Sequence, residues 1–195
     1  MSPSFVSPEV DPPDLVLSRT RQWIERAVIG LNLCPFARAV YVRNQIRMVV
    51  SAARTEEQLL VELQTELFRL QDTPPEQTDT TLLIHPEVLT QFEDFNEFLG
   101  PAEKALRLSG LAGEIQIASF HPQYRFAGTD PEDITNYTNR APYPILHLLR
   151  EASVSRAVNS VSDPGAIVEA NLETLRNLGH RGWQRLGLSS GPAAS

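Results

Sequence analysis

The residues best suited to chemistry in this 195-residue chain are concentrated between Phe120 and Tyr143. The segment FHPQYRFAGTDPEDITNYTNRAPY shows neither helical nor strand periodicity, so we expect a long loop. A loop of this length inside a compact domain usually carries function or is disordered. Five of the chain's 14 aromatic residues lie in it, so we expect it to be packed. Its polar and charged side chains are His121, Arg125, Asp130, Asp133, Asn136, Asn139 and Arg140.

An anion-binding pocket is the chemistry that this loop predicts best. Arg140 follows Asn136 and Asn139 and precedes a helix that we expect Pro144 to begin. A guanidinium beside the free N–H groups of a helix start attracts phosphate or carboxylate. The other predicted walls of this pocket are Tyr124, Arg125 and His147.

A structural role for the same residues remains open. Arg140 could instead pair with Asp130 or Asp133, while the Asn side chains brace turns of the loop. If the pocket exists, His121 is its natural acid or base, because histidine titrates near neutral pH. Pro122 holds the preceding backbone extended, which would present the His121 ring at the end of a strand.

Cys34 offers a second kind of chemistry, as a nucleophile with His121 as its base. Its reactivity depends on whether it ends one helix or caps the next, since only a helix start stabilises a thiolate. Its neighbours Leu31, Leu33 and Phe36 are apolar, so a buried and inert cysteine is the alternative.

A metal site is a third possibility. Cys34, His121 and His147 could converge with Asp130 or Asp133, and zinc accepts such mixed ligands. The sequence has no His-x-x-x-His or Cys-x-x-Cys spacing, so we assign no metal ligands. His147, between two leucines, is also consistent with a hydrogen-bonded core histidine. The sequence leaves any cofactor unknown.

Composition limits the class of protein. The net charge is −7 and there is one cysteine, which excludes an intrachain disulfide. No apolar run reaches the length of a membrane helix, so we predict a cytoplasmic protein without a membrane partner. Six arginines between Leu15 and Ala53 could touch nucleic acid, but the acidic chain lacks basic clusters with interleaved aromatics, which disfavours this. The oligomeric state cannot be read from the sequence.

The patterning predicts one mixed α/β domain of about four strands, including a hairpin, with helices covering the sheet. Residues 1–13 are expected to be a disordered leader, 14–187 the domain and 188–195 a flexible tail. Strands are expected at Ala39–Val42 and Ile46–Ala52, which form the hairpin, and at Thr80–Ile84 and Glu114–Phe120. Helices are expected from Asp14 to about Gly30, after the Thr55 capping box, from Pro86 to Gly100, from Pro101 to Gly110, from Pro144 to about Val158 and from Pro164 to Gly179.

Three long segments resemble an uncharacterised, mainly bacterial family known as domain of unknown function 1415. They are GLNLCPFA at Gly30–Ala37, ASFHPQYRFAGT at Ala118–Thr129 and NYTNRAPYPILHLLRE at Asn136–Glu151. The resemblance covers most of the chain from Leu15 to about Val158. It implies a small soluble protein and supplies no activity.

Two functions follow from the residues. The first is an enzyme acting on a small anion, with His121 as acid or base, Arg140 and Arg125 as anchors and Cys34 as wall or nucleophile. The second is a module that uses the same loop to bind a ligand or a protein without chemistry. An enzyme requires His121 within hydrogen-bond reach of an open cavity, whereas a protein-binding module would present the loop as an exposed aromatic patch.

Overall fold

A computed structural model describes residues 10–159 and 164–188 of the chain. The described part is an α/β domain in which helices lie on both sides of a mixed four-stranded sheet. The strands are β1 (Ile46–Val50), β2 (Thr80–Ile84), β3 (Ile115–Phe120) and β4 (Ile145–Arg150). The helices are α1 (Pro13–Trp23), continued by a π-helix (Ile24–Ile29), α2 (Ala37–Val42), α3 (Glu56–Asp72), α4 (Phe92–Leu108), a 3₁₀ helix (Ile134–Thr138), α5 (Glu151–Asn159) and α6 (Pro164–Arg185).

The sheet has the order β1-β2-β4-β3. β1 and β2 are parallel, and β4 runs antiparallel to both β2 and β3. The carboxyl ends of β1, β2 and β3 therefore meet at one edge of the sheet, together with the amino end of β4. The long loop leaves β3 and enters β4 at this edge, which is the edge where α/β proteins usually bind ligands.

Two apolar clusters hold the helices to the sheet. On one face, α3 and α4 pack against Leu83, Leu146 and Leu148. On the other face, α1 and the π-helix pack against Ile84 and Ile145. Hydrophobic burial on both faces stabilises the sheet, so the edge at which the loop leaves β3 and enters β4 is a rigid base for that loop.

The first helix, α3 and β2 confirm the sequence prediction. Thr55 caps α3 by accepting a hydrogen bond from the Gln58 N–H at 3.3 Å, as the capping box predicts. The helix at Pro13–Trp23 continues as a π-helix to Ile29, close to the predicted end at Gly30.

The predicted hairpin is wrong. Residues 37–42 form α2, and Ile46–Val50 pairs with β2 instead of with a neighbour in a hairpin. Asn44 turns the chain between them with a φ of 55°, a left-handed conformation that asparagine tolerates. The β-branched residues of 39–42 suggested a strand, but the segment is too short for intrinsic preference to decide its structure.

The predicted helix from Pro144 is also wrong for its first half. Residues 145–150 form β4, at the centre of the sheet, and the helix begins only at Glu151. A central strand is covered on both faces, so its sequence is a continuous apolar run that periodicity cannot distinguish from a buried helix.

The two helices expected from Pro86 and Pro101 are one. Residues 86–91 form a loop, and α4 runs through Pro101 without a break from Phe92 to Leu108. Its buried stripe of Phe92, Phe95, Phe98 and Ala102 continues across the proline, so packing outweighs the missing backbone hydrogen bond.

α6 bends where it was expected to end. Gly179 has φ 59° and ψ 174°, a conformation that favours glycine, and the helix resumes to Arg185 beyond this kink. Most of the expected leader and most of the expected tail lie outside the described residues, as does Asp163, which precedes the predicted helix start at Pro164. No helix in residues 10–159 and 164–188 combines the length and the apolar character that a membrane crossing requires.

Candidate functional site

The long loop is confirmed, and it folds onto itself around one short helix. Asp133 starts the 3₁₀ helix by accepting hydrogen bonds from the N–H and hydroxyl of Thr135, at 2.9 and 2.8 Å. Gly128 turns the backbone with a φ of 79°, where a side chain would be strained. The loop is therefore an ordered structure that presents side chains in two directions, toward α4 and toward α6.

Asn136 holds the loop together from its centre. Its side chain is fully buried, and Oδ1 accepts from the Phe126 N–H at 3.1 Å and from the Thr129 hydroxyl at 2.7 Å. Its Nδ2 donates to the Asp130 carbonyl at 2.8 Å. Asn139 likewise donates to the Ser119 carbonyl at 3.1 Å. Both asparagines thus brace the loop, in agreement with the structural alternative raised from sequence.

His121 lies on the α4 side and is fully buried. Its Nδ1 accepts from the Gln123 N–H at 3.0 Å, so the ring proton is on Nε2, which faces the Leu89 carbonyl at 3.3 Å. The ring packs against Phe95, with centroids 5.1 Å apart. Burial lowers the pKa of His121 to about 4. Both ring nitrogens are engaged, and the ring is neutral at physiological pH.

His85 is a second fully buried histidine at the same edge of the sheet. It follows β2 as His121 follows β3, and it packs on the same Phe95 ring at 5.6 Å. Its Nδ1 donates to the Val88 carbonyl at 2.9 Å, while Nε2 is buried without a partner in the described residues. Burial lowers the pKa of His85 to about 4 as well.

Arg140 lies on the α6 side. Its Nε donates to the Tyr124 carbonyl at 3.3 Å and its Nη2 to the Pro131 carbonyl at 2.6 Å. The guanidinium carbon stands 4.1 Å from the centre of the Tyr137 ring, a cation–π contact. No carboxylate lies within ion-pairing distance of Arg140 in the described part of the chain. The alternative pairing with Asp130 or Asp133 is therefore absent, and the charge of Arg140 is not neutralised.

Arg140 lines a pocket of about 230 Å³ between the loop, the end of α1 and the end of α6. Trp183 of α6 meets Tyr137 edge to face at 5.0 Å, and Trp23 of α1 meets Phe120 in the same way at 5.1 Å. The walls are Trp23, Pro122, Tyr137, Arg140, Ala141, Pro142, Trp183, Gln184 and Leu188. A positive group among apolar and aromatic walls is typical of a small-molecule site.

Two further predicted residues of the loop, Tyr124 and Arg125, do not line this pocket. The ring of Tyr124 packs between Phe92 and Phe126, at 5.2 and 5.1 Å, on the α4 side. Arg125 forms an exposed ion pair with Glu93 at 3.1 Å. The predicted cluster is thus divided, because only Arg140 reaches the pocket.

Cys34 and His147 lie elsewhere. Cys34 follows the π-helix, in the layer opposite the one that holds His121, and is partly exposed. His147, on the α1 face of β4, donates from Nε2 to the Thr80 hydroxyl at 2.7 Å, since that hydroxyl donates to the Leu148 carbonyl. Within residues 10–159 and 164–188, no three metal-ligating side chains are grouped to hold an ion.

The comparison with protein families agrees with the resemblance seen in the sequence. A family described as protein of unknown function, DUF1415, matches residues 15–185, which is most of the chain. The chain belongs to the DUF1415 family. No curated protein and no solved structure matches it significantly. The DUF1415 match includes every residue of the pocket wall except Leu188.

Of the residues that line this pocket, only Arg140 was predicted from the sequence to belong to a site. Trp23 is a core residue with 4% of its surface exposed, and Trp183 lies beyond Gly179, where the last helix was expected to end. One signal was available at Trp183, which stands among polar residues in HRGWQR. A tryptophan in such surroundings is typical of a ring that contacts something other than the core.

Proposed function

We propose that this protein binds a small anionic molecule in the pocket between the loop and α6, with Arg140 as the anchor. The observation that carries the proposal is the state of the Arg140 guanidinium. It is held by two backbone carbonyls and the Tyr137 ring, yet its charge faces no carboxylate in the described residues. Its Nη1 donates to no described acceptor. A positioned cation with a free donor is suited to a carboxylate or a phosphate.

The size of the pocket restricts the ligand. At about 230 Å³ it is below the range of about 300–1,000 Å³ that is common for drug-sized ligands. A metabolite of one ring or of a few carbons fits this space better than a nucleotide. Because Arg140 is held before the ligand arrives, little side-chain entropy is lost on binding.

Binding without catalysis is the function that this geometry supports best. His121, the candidate acid or base, uses both ring nitrogens in hydrogen bonds and does not line the pocket. Its neighbour Pro122 lies on the pocket wall, whereas the His121 ring packs against α4. A general acid or base acts on a reacting atom within hydrogen-bond reach or through one water, and the His121 ring is not among the residues that line this pocket.

Thermal shift with matched ligand pairs tests the proposal. Acetate, oxalate and benzoate are compared with acetamide, oxamide and benzamide at constant ionic strength. We expect the carboxylates to raise Tm saturably and the amides to leave it unchanged. Arg140→Gln should abolish the shift, while Arg125→Gln, an exposed arginine of the same loop, should retain it.

Two results would overturn the proposal. Equal shifts from acids and amides would show that charge is not recognised. A carboxylate shift that persists in Arg140→Gln would place the anion elsewhere. The claim that the protein binds the anion without catalysis is tested separately. It would be overturned if the protein converted the bound anion to a product and if His121→Asn abolished this conversion without changing the affinity.

A further inference from the structure

We infer that the anion carries a planar aromatic ring, so that the ligand is a small aromatic carboxylate. This inference rests on the proposed function and adds a second recognised group to it. It depends on the aromatic residues that line the pocket together with Arg140, above all the half-buried Trp183, and therefore on contacts that the anion site does not use.

The walls of the pocket present flat surfaces. Trp23, Tyr137 and Trp183 line it together with Pro122 and Pro142. Trp183 and Tyr137 stand at an interplanar angle of 77°, so the two rings form adjoining walls at nearly a right angle. Aromatic and proline surfaces at such angles accept a flat ring by stacking on one wall and edge contact with the next.

The position of Arg140 distinguishes this pocket from an aromatic cage for cations. Cages of Trp and Tyr bind quaternary ammonium groups through the ring faces. Here the Tyr137 ring already carries the guanidinium of Arg140 at 4.1 Å, and the same guanidinium lines the pocket. A cationic ligand would meet a like charge that no described carboxylate offsets, whereas an anion would meet an opposite one.

The aromatic walls are also fixed before a ligand binds. Trp183 and His180 both meet Tyr137 edge to face, at 5.0 and 5.5 Å. The kink at Gly179 redirects the end of α6 toward the loop, and Arg26 holds the following turn by donating to the Leu186 carbonyl at 2.9 Å. A preformed slot selects shape, so it should discriminate a flat ring from a puckered one of similar size.

Benzoate and cyclohexanecarboxylate provide the test, because they share the anion and the ring size but differ in planarity. Both tryptophans of the chain line the pocket, so tryptophan fluorescence reports its occupancy directly. Affinities are measured by fluorescence and by calorimetry with the full-length protein. We expect benzoate to bind at least tenfold more tightly than cyclohexanecarboxylate.

Trp183→Leu removes the aromatic wall and should reduce this preference to less than threefold. Trp183→Phe, which keeps an aromatic face, should restore the preference and serves as the folding control.

Equal affinity for the two carboxylates in the wild type would overturn the aromatic inference and leave the proposed anion site unaffected. So would binding of acetate or oxalate without benzoate. A preference that survives in Trp183→Leu would also overturn it. Failure of every carboxylate to bind would remove the proposed function and this inference together.

Discussion

The two sides of the long loop use similar residues for opposite purposes. His121, on the α4 side, and Asn136, at the centre of the loop, are fully buried and use their polar side-chain atoms in hydrogen bonds within the domain. On the α6 side, Arg140 keeps a donor and an unpaired charge at the wall of a pocket. The two groups differ in whether all their hydrogen-bonding atoms have partners. A buried polar side chain whose donors and acceptors are all paired stabilises the fold, whereas a side chain with a free donor can bind a ligand.

The largest expected effect concerns the buried histidines of the α4 side. Burial places the pKa of both His85 and His121 near 4, below the ordinary value of 6.5. The unfolded chain therefore binds more protons below pH 6.5, and the free energy of unfolding falls as the pH drops from 6.5 toward 4. The loss is about 3 kcal/mol for each histidine and is complete below the folded pKa.

Urea denaturation between pH 7 and pH 4 measures this slope. His121→Asn keeps an acceptor for the Gln123 N–H and should flatten the slope by the contribution of one histidine. A wild-type slope in His121→Asn would show that His121 is accessible to protons in the folded state, which would break the contrast between the two sides.

Removing the central brace should have the next largest effect. Asn136→Ala leaves the Phe126 N–H without a partner inside the loop and removes one of the two hydrogen bonds to the Asp130 carbonyl, which keeps the Asp133 N–H. We expect a loss of about 2–3 kcal/mol in the free energy of unfolding. Asn177→Ala, on an exposed turn of α6, is the control and should change it little. A loss in Asn136→Ala no larger than the control's would mean that solvent reaches these groups.

A smaller effect is expected from loosening the pocket wall. Arg26 donates to the carbonyls of Leu186 and Gly187, at 2.9 and 3.4 Å, and so holds the turn after α6. Arg26→Ala should cost about 1 kcal/mol of stability and weaken anion binding a few-fold by calorimetry. Arg21→Ala, exposed on α1, should do neither. Unchanged binding in Arg26→Ala would show that this turn does not shape the pocket.

The smallest effect is expected at Arg125, the other arginine of the loop. Its ion pair with Glu93 is exposed on both sides, and such pairs contribute about 0–1 kcal/mol. Arg125→Ala should therefore change neither stability nor ligand affinity measurably, unlike Arg140→Gln. A loss of affinity in Arg125→Ala would place the ligand on the α4 side and reverse the assignment of the two sides.

Local signals predicted the fold where they agreed with tertiary packing. The Thr55 cap and the leucine stripe of α3 specify that helix without reference to the rest of the chain. They did not specify β4, because ILHLLR is equally compatible with a buried helix until its place at the centre of the sheet is known. Proline was misleading at Pro101 for the same reason, since packing of α4 decides the outcome there.

The loop was predicted from its composition, but its division into two sides was not. Residue type suggests that His121, Arg125 and Arg140 can act together, whereas strand alternation at the end of β3 separates them. Phe120 packs with α1 and His121 with α4, so adjacent residues contribute to opposite layers. The wall of Trp23 and Trp183 joins distant parts of the chain and leaves no periodic signal.

The strand order has a consequence for how the molecule is made. β4 is the last strand in the described part of the chain, yet it separates β2 from β3 and pairs with both. During synthesis, the β1–β2 pair and β3 have no shared hydrogen bonds until residue 150 has been added. Until then, the edges of β2 and β3 that will pair with β4 are exposed and can pair with other chains. Completion of the sheet is therefore a late, long-range event, and we expect a nascent chain halted before β4 to be prone to aggregate.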